Sequence, residues 1–165
     1  PTVEVVPGPR TTEEVIETSV ALHRRIGKLA VRINGEIPGF LVNRVQSAMI
    51  REVWDLYERG IASAEDIDTA IRGSIGFRLA LFGPLKICDF GGIDIWTTVY
   101  RKLAPDLRAD AEVPAIVKAH VEAGDAGLCV GRGIHQYESI ETVTAERDEL
   151  MLKLAKLLQQ SSKET

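Results

Sequence analysis

A carboxylate, Glu4, stands between Val3 and Val5 in a short apolar run. A glutamate in that setting is either an edge-strand side chain turned to solvent or an acid that orients a histidine, fixing its tautomer and stabilising its protonated form for acid–base work. Asn43 falls in the first turn of a long apolar segment. There it either caps the helix or offers its amide, beside unpaired helix N–H groups, to a substrate carbonyl or developing oxyanion. Arg44 next to it reads as an ion-pairing residue. His23, His120 and His135 have no metal-ligand spacing with one another or with Cys88 and Cys129, and no metal site is expected. His23 lies mid-helix beside Arg24 and Arg25 and reads as solvated, and His120 sits on a polar helix face. His135 follows Gly131-x-Gly133 in a turn and is the one histidine for which a second role stays open. Glu65, Asp66 and Asp68 follow Ser63, and an acidic first turn complements the helix dipole better than it resembles a metal cluster. Asp89 and Asp94 flank Gly91-Gly92, as a helix junction would have them.

The elements that would position these groups begin with a β-branched strand at 2–6, ended by Pro7-Gly8-Pro9. Thr11-x-x-Glu14 has the form of a capping box, and Gly27 stands where that helix would end. A second strand at 28–33 runs into the Asn34-Gly35 turn. Two strands and one helix bury too little apolar area to stand alone, so 1–36 reads as the edge of a larger sheet. After Pro38-Gly39, Val42, Val45, Met49, Val53 and Leu56 follow helical spacing, with Leu41, Ala48, Ile50, Trp54 and Tyr57 widening the stripe. A helix that apolar is expected to be buried on more than one side, and Gly60 ends it. Ser63-x-x-Asp66 opens a short helix to about Arg72, Gly73 to Gly83 reads as a loop, and helices are expected at 84–104, 112–123 and 140–160. Gly91-Gly92 is a possible interruption in the first of these, and the Ser-Ser-Lys-Glu-Thr tail is expected to be disordered.

The chain of 165 residues carries a net charge of −4 and 45% hydrophobic residues. An acidic balance without a basic patch argues against nucleic acid. No run approaches the ~20 apolar residues that span a bilayer, and residues 1–10 lack a signal-peptide pattern. Two distant cysteines suit neither a disulfide framework nor a metal, which fits a cytoplasmic setting.

Three stretches agree as a set: P-G-F-L-V-N-R at 38–44, L-Y-E-R-G-I-A-S-A-E-D-I-D-T-A at 56–70 and G-P-L-K-I-C-D-F-G-G-I-D at 83–94. Together they resemble the C-terminal helical domain of the L-3-hydroxyacyl-CoA dehydrogenase family. The resemblance implies a mainly α fold. Residues 38–165 would be a helical substrate and dimerisation domain of the 6-phosphogluconate-dehydrogenase-like C-terminal type, and 1–36 a small β-α-β remnant of a Rossmann domain. It implies a homodimer through the helical domain, and NAD as cofactor of the full-length enzyme with none bound by this part. Glu4 would orient a catalytic histidine that lies upstream in the family and is absent from this chain, and Asn43 would contact the substrate near the reacting carbon. The 165 residues alone are expected to be inactive.

Two departures from the family pattern bear on substrate. The acyl-CoA members carry a short G-x-P-x-G-P link, whereas Gly76 to Pro84 here is longer and has Arg78 in place of the proline. That version is more similar to the branch containing L-gulonate 3-dehydrogenase and lambda-crystallin. An arginine clamps a carboxylate bidentately, so Arg78 is a candidate substrate contact. The closing G-x-K-[ST]-G-x-G-F-Y pattern has become Gly127 to His135, without its lysine. Three readings therefore stand side by side. One is a 3-hydroxyacyl-CoA dehydrogenase, another a dehydrogenase of a free polar hydroxy acid, and the third a non-catalytic helical dimerisation module.

Overall fold

A computed structural model describes residues 2–161, so the tail expected to be disordered lies, from Ser162 on, outside the described residues. The fold is mainly helical, with one two-stranded sheet, and packing divides it between Ile50 and Arg51. The first compact unit takes in the start of the long helix.

In the first unit, β1 (Thr2–Val5) and β2 (Leu29–Arg32) pair in parallel, with Glu4 opposite Val31. The crossover is α1 (Glu13–Arg25), whose Ile16 is buried together with Ala30 of β2. Thr11 does not cap this helix. Its hydroxyl accepts the Gly8 amide at 3.0 Å and closes the Pro7-Gly8-Pro9 turn, and α1 starts two residues later, after Thr12. The other end behaves as expected: Gly27 adopts φ 78°, and the amides of Gly27 and Lys28 return to the carbonyls of Arg24 and His23. Arg32 grips the Glu13 carboxylate with both terminal nitrogens, tying β2 to the head of α1.

α2 (Val42–Glu58) is the long helix, ended by Gly60 in a left-handed conformation whose amide bonds to the Tyr57 carbonyl. No residue of it is buried, contrary to the expectation from its wide apolar stripe; Val42, Val45 and Met49 stay exposed because no described residue covers them.

In the second unit, Ser63 caps α3 (Ala64–Ile71) by accepting the Asp66 amide at 3.1 Å. The segment expected to be a loop is helical instead. A π-helical turn (Arg72–Gly76) leads into α4 (Phe77–Leu81), and the Ser74 hydroxyl donates to the Ala70 carbonyl at 2.6 Å. Glycine makes the widened turn possible, since a Cβ at Gly76 would lie 3.3 Å from the Ile71 carbonyl oxygen. α5 (Pro84–Gly91) and α6 (Ile93–Leu103) are separated at Gly92, with φ 84°. Phe82 and Phe90 meet edge to face beneath Lys86. α7 (Ala115–Glu122) and α8 (Ile140–Ser161) complete the unit, with a 3₁₀ turn at Leu128–Val130 between them. Among the described residues no helix is long and apolar enough to cross a membrane.

Arg108 is the ionic hub of this unit. Its backbone amide donates to Glu52 at 3.0 Å, and its largely covered guanidinium lies 3.6 Å from both Asp55 and Glu58 and 3.0 Å from Asp110. Bonding to Arg108 holds the Asp110 carboxyl below the usual carboxylate range. A carboxylate with a depressed folded pKa stabilises the fold above its unfolded pKa, and that contribution disappears as pH falls through the folded value. Asp110→Asn should therefore be less stable than the parent chain at pH 7, with the gap closing below about pH 4 in urea titrations. A gap independent of pH would contradict this assignment.

A second expectation concerns Gly91, where a Cβ would sit 2.6 Å from Trp96 Nε1. Gly91→Ala should displace the indole and cost about 1–2 kcal/mol, read as a lower urea midpoint, despite alanine's better helix propensity. A raised midpoint would show that the indole moves aside freely.

Candidate functional site

β1 places Glu4 opposite the beginning of α2. Its Oε1 accepts hydrogen bonds from the backbone amides of Leu41 at 2.9 Å and Val42 at 3.2 Å. These are helix-start N–H groups without intrahelical partners, and a carboxylate there also meets the positive end of the helix dipole. Glu4 is half-buried and is not the solvent-facing edge residue of the first reading. Its second oxygen, Oε2, takes no hydrogen bond from a described residue and remains available to a further donor.

The Pro38-Gly39-Phe40 sequence makes this contact possible. Gly39 has φ 78° and Phe40 has φ 46°, two consecutive left-handed residues that turn the chain sharply into α2. Phenylalanine seldom takes that conformation, and such outliers concentrate where geometry is tied to function.

Asn43 follows directly as the second residue of α2. It does not cap the helix, because Glu4 already holds the Leu41 and Val42 amides; its own side-chain amide is exposed and bonds to no described residue. Arg44, expected to pair ionically, has no carboxylate partner among the described residues. The structure thus brings Glu4 and Asn43 to one helix start. Arg78 sits on α4 in the second unit, with Nε donating to the Ser74 carbonyl at 3.3 Å, and its exposed guanidinium meets no described carboxylate.

The histidines are better partnered than their sequence positions suggest. His23 is part-buried, with Nδ1 2.7 Å from the Ser19 carbonyl oxygen, so it is not simply solvated. His120 faces Asp125 at 3.6 Å, and Asp125 also holds Arg132 at 2.7 Å. His135 lies 2.8 Å from Asp68 and 3.6 Å from Glu65, both on α3. Those two acids therefore anchor the 127–137 turn as well as lying near the start of α3, and only Asp66 exchanges hydrogen bonds with Ser63. Sequence gave no sign of the contact, since Asp68 and His135 are 67 positions apart. No group of three or more metal-ligating side chains occurs among the described residues.

The start of α1 is not the Gly-rich pyrophosphate turn of a dinucleotide-binding unit. The loop between β1 and α1 is not Gly-rich, and α1 carries Glu13 and Glu14 in its first turn, where a pyrophosphate would meet like charge.

Comparison with known proteins gives these features a context. Residues 39–137 match the family model described as 3-hydroxyacyl-CoA dehydrogenase, C-terminal domain, and residues 1–37 match its NAD binding domain. The chain is 34% identical over 161 residues to 5-formyl-3-hydroxy-2-methylpyridine 4-carboxylate 5-dehydrogenase of Mesorhizobium japonicum, covering 96% of this chain and 52% of that protein. It is 33% identical over 163 residues to lambda-crystallin of Oryctolagus cuniculus, covering 97% and 51%. A crystal structure of a 5-formyl-3-hydroxy-2-methylpyridine 4-carboxylic acid 5-dehydrogenase superposes with a TM-score of 0.90 at 34% identity, over 96% of this chain and 52% of that one. The chain belongs to the 3-hydroxyacyl-CoA dehydrogenase family, whose members are NAD-dependent oxidoreductases. It spans about half the length of the curated relatives it matches.

The Glu4 contact is directly testable. Glu4→Ala should release the start of α2 and speed hydrogen exchange at the Leu41 and Val42 amides by roughly fivefold, corresponding to about 1 kcal/mol. Glu4→Gln, which keeps the acceptor oxygen, should recover much of that protection. Equal exchange in all three proteins would show that the contact does not hold the helix.

Proposed function

We propose that this chain supplies the substrate-side part of an NAD-dependent dehydrogenase acting on a small polar compound with a free carboxylate. The observation that carries the dehydrogenase reading is the seating of Glu4 on the first amides of α2, beside Asn43. Glu4 keeps Oε2 for a histidine supplied from outside these 165 residues, and Asn43 offers its amide to the substrate oxygen at the reacting carbon. NAD is held outside this chain, and the chain is inactive by itself. In this reading 1–36 completes a Rossmann-type domain. Residues 38–165 form a helical domain of the 6-phosphogluconate-dehydrogenase-like C-terminal type, which self-associates as a homodimer in the cytoplasm.

Two features favour a free carboxylate over a thioester. Arg78 is an exposed cation without a described carboxylate partner, on a helical link that replaces the short proline-containing one. The relative from Mesorhizobium japonicum, which the chain matches almost throughout, is named for a pyridine carboxylate. The family model's own name favours the second reading, a 3-hydroxyacyl-CoA substrate.

Kinetics of the full-length enzyme would decide between the two. Arg78→Ala should raise KM for a free hydroxy acid about 30-fold, the loss expected for a charge-assisted contact of roughly 2 kcal/mol. Its KM for 3-hydroxybutyryl-CoA should stay within about twofold. Efficient turnover of the thioester with no effect of Arg78→Ala on any free acid would favour the acyl-CoA reading.

A further inference from the structure

α8 extends beyond residue 137, where the family match ends, and among the named elements it packs mainly against the Leu128–Val130 turn. Ser139 starts it, its hydroxyl accepting the Thr142 amide at 3.2 Å. Along the helix, Ile140, Val143, Arg147, Leu150, Leu154 and Leu157 alternate in steps of three and four. That is the repeat of a coiled-coil seam. Ile140, Leu150, Leu154 and Leu157 are exposed, while Val143 is half-buried.

The charges beside the seam divide by sign. Glu146, Asp148 and Glu149 occupy the middle of the helix, and Lys153 and Lys156 the part nearer its C-terminus. We propose that this face pairs with α8 of a second copy of the chain, antiparallel and in one register. Ile140 then meets the partner's Leu157, Val143 the partner's Leu154, and Arg147 the partner's Leu150, each contact occurring twice about a two-fold axis. Flanking the seam, Glu146 lies opposite the partner's Lys153, again twice. Lys153 already bonds to Glu149 one turn back, at 2.6 Å, so the partner's Glu146 completes an acid–base–acid row.

The charges also exclude the neighbouring arrangements. Sliding the pair by one heptad in either direction sets Lys153 against its own symmetry copy, or Glu146 against its own. Parallel pairing stacks Arg147 on Arg147. Each costs like-charge contact at a partly desolvated seam, and only the proposed register avoids all three.

The proposal deepens the self-association reading given above, and the experiment separates the two. In a Cys88→Ser/Cys129→Ser background, the double variant Val143→Cys/Leu154→Cys should oxidise to a covalent dimer at twice the chain mass on denaturing gels. Either cysteine variant alone should stay monomeric on the same gel, because antiparallel helices hold identical positions far apart. Lys153→Glu should weaken dimerisation about tenfold at low salt, and adding Glu146→Lys should restore it, since the swapped charges again face each other. Residues 146 and 153 are two turns apart within one helix, so a purely intrachain role would show no such rescue. Crosslinking by the single variants would mean parallel pairing and would overturn the proposal. A dimer by sedimentation that resists crosslinking in the double variant would overturn it while leaving self-association intact. A monomer by sedimentation would overturn both.

Discussion

The first unit depends on one carboxylate oxygen holding two backbone amides. A two-stranded sheet with one covering helix buries little, and among the described residues of this unit only Ile16 and Ala30 are buried. Such a piece has few means of fixing the direction in which the chain leaves it. Glu4 supplies one, because its Oε1 meets the amides of both Leu41 and Val42. A charged acceptor facing two unpaired donors at a helix start gains from hydrogen bonding and from the helix dipole together. The left-handed pair Gly39 and Phe40 is the conformational cost of bringing those amides to it. The same constraint places Asn43 one residue beyond the fastened turn, so strand and side-chain amide share a fixed frame.

The second unit is held differently. Its buried residues include Ile67 and Ile87, while large side chains such as Leu85, Phe90 and Ile93 remain exposed. Specific polar ties connect segments that hydrophobic burial in this chain leaves loose. Arg108 gathers Glu52, Asp55 and Glu58 from α2, and His135 links the 127–137 turn to Asp68 and Glu65 of α3. Exposed ion pairs are individually weak, so their value lies in fixing geometry more than in total stability. Arg108 is the stronger case, because its side chain is largely covered and bonded through several nitrogens at once.

The legible parts of this fold are those governed by local rules. Gly27 and Gly60 end helices as their positions foretold, Ser63 caps α3, and the Gly91-Gly92 pair separates two helices. Local rules failed where two local options competed. Thr11 had both a capping-box partner and a proline-glycine turn beside it, and the turn took its hydroxyl. The glycines at 73 and 76 suggested a loop, but the chain stays helical through Leu81 by way of a π-helical turn, with the missing Cβ of Gly76 relieving a close approach to the Ile71 carbonyl. Burial of α2 failed for another reason: spacing shows that a helix has an apolar stripe but not what lies against it, and no described residue covers the stripe at Val42, Val45 and Met49.

The candidate site shows the same division. Glu4 and Asn43 stood out because a lone carboxylate in a β-branched strand and an amide at a helix start are locally anomalous. That the first would be fastened to the helix carrying the second is a contact across 37 positions, beyond any spacing rule. The pairing nonetheless clarifies what glutamate at position 4 offers the helix start. An aspartate at position 4 would have a shorter reach from the strand, and a glutamine would lack the charge that the helix start favours. Glutamate holds the helix with one oxygen and, under the proposed function, would present the other to a cationic imidazole. Under the proposed function, the carboxylate that fixes the scaffold would also orient the acid–base group, so scaffold and chemistry would not be altered independently at that residue.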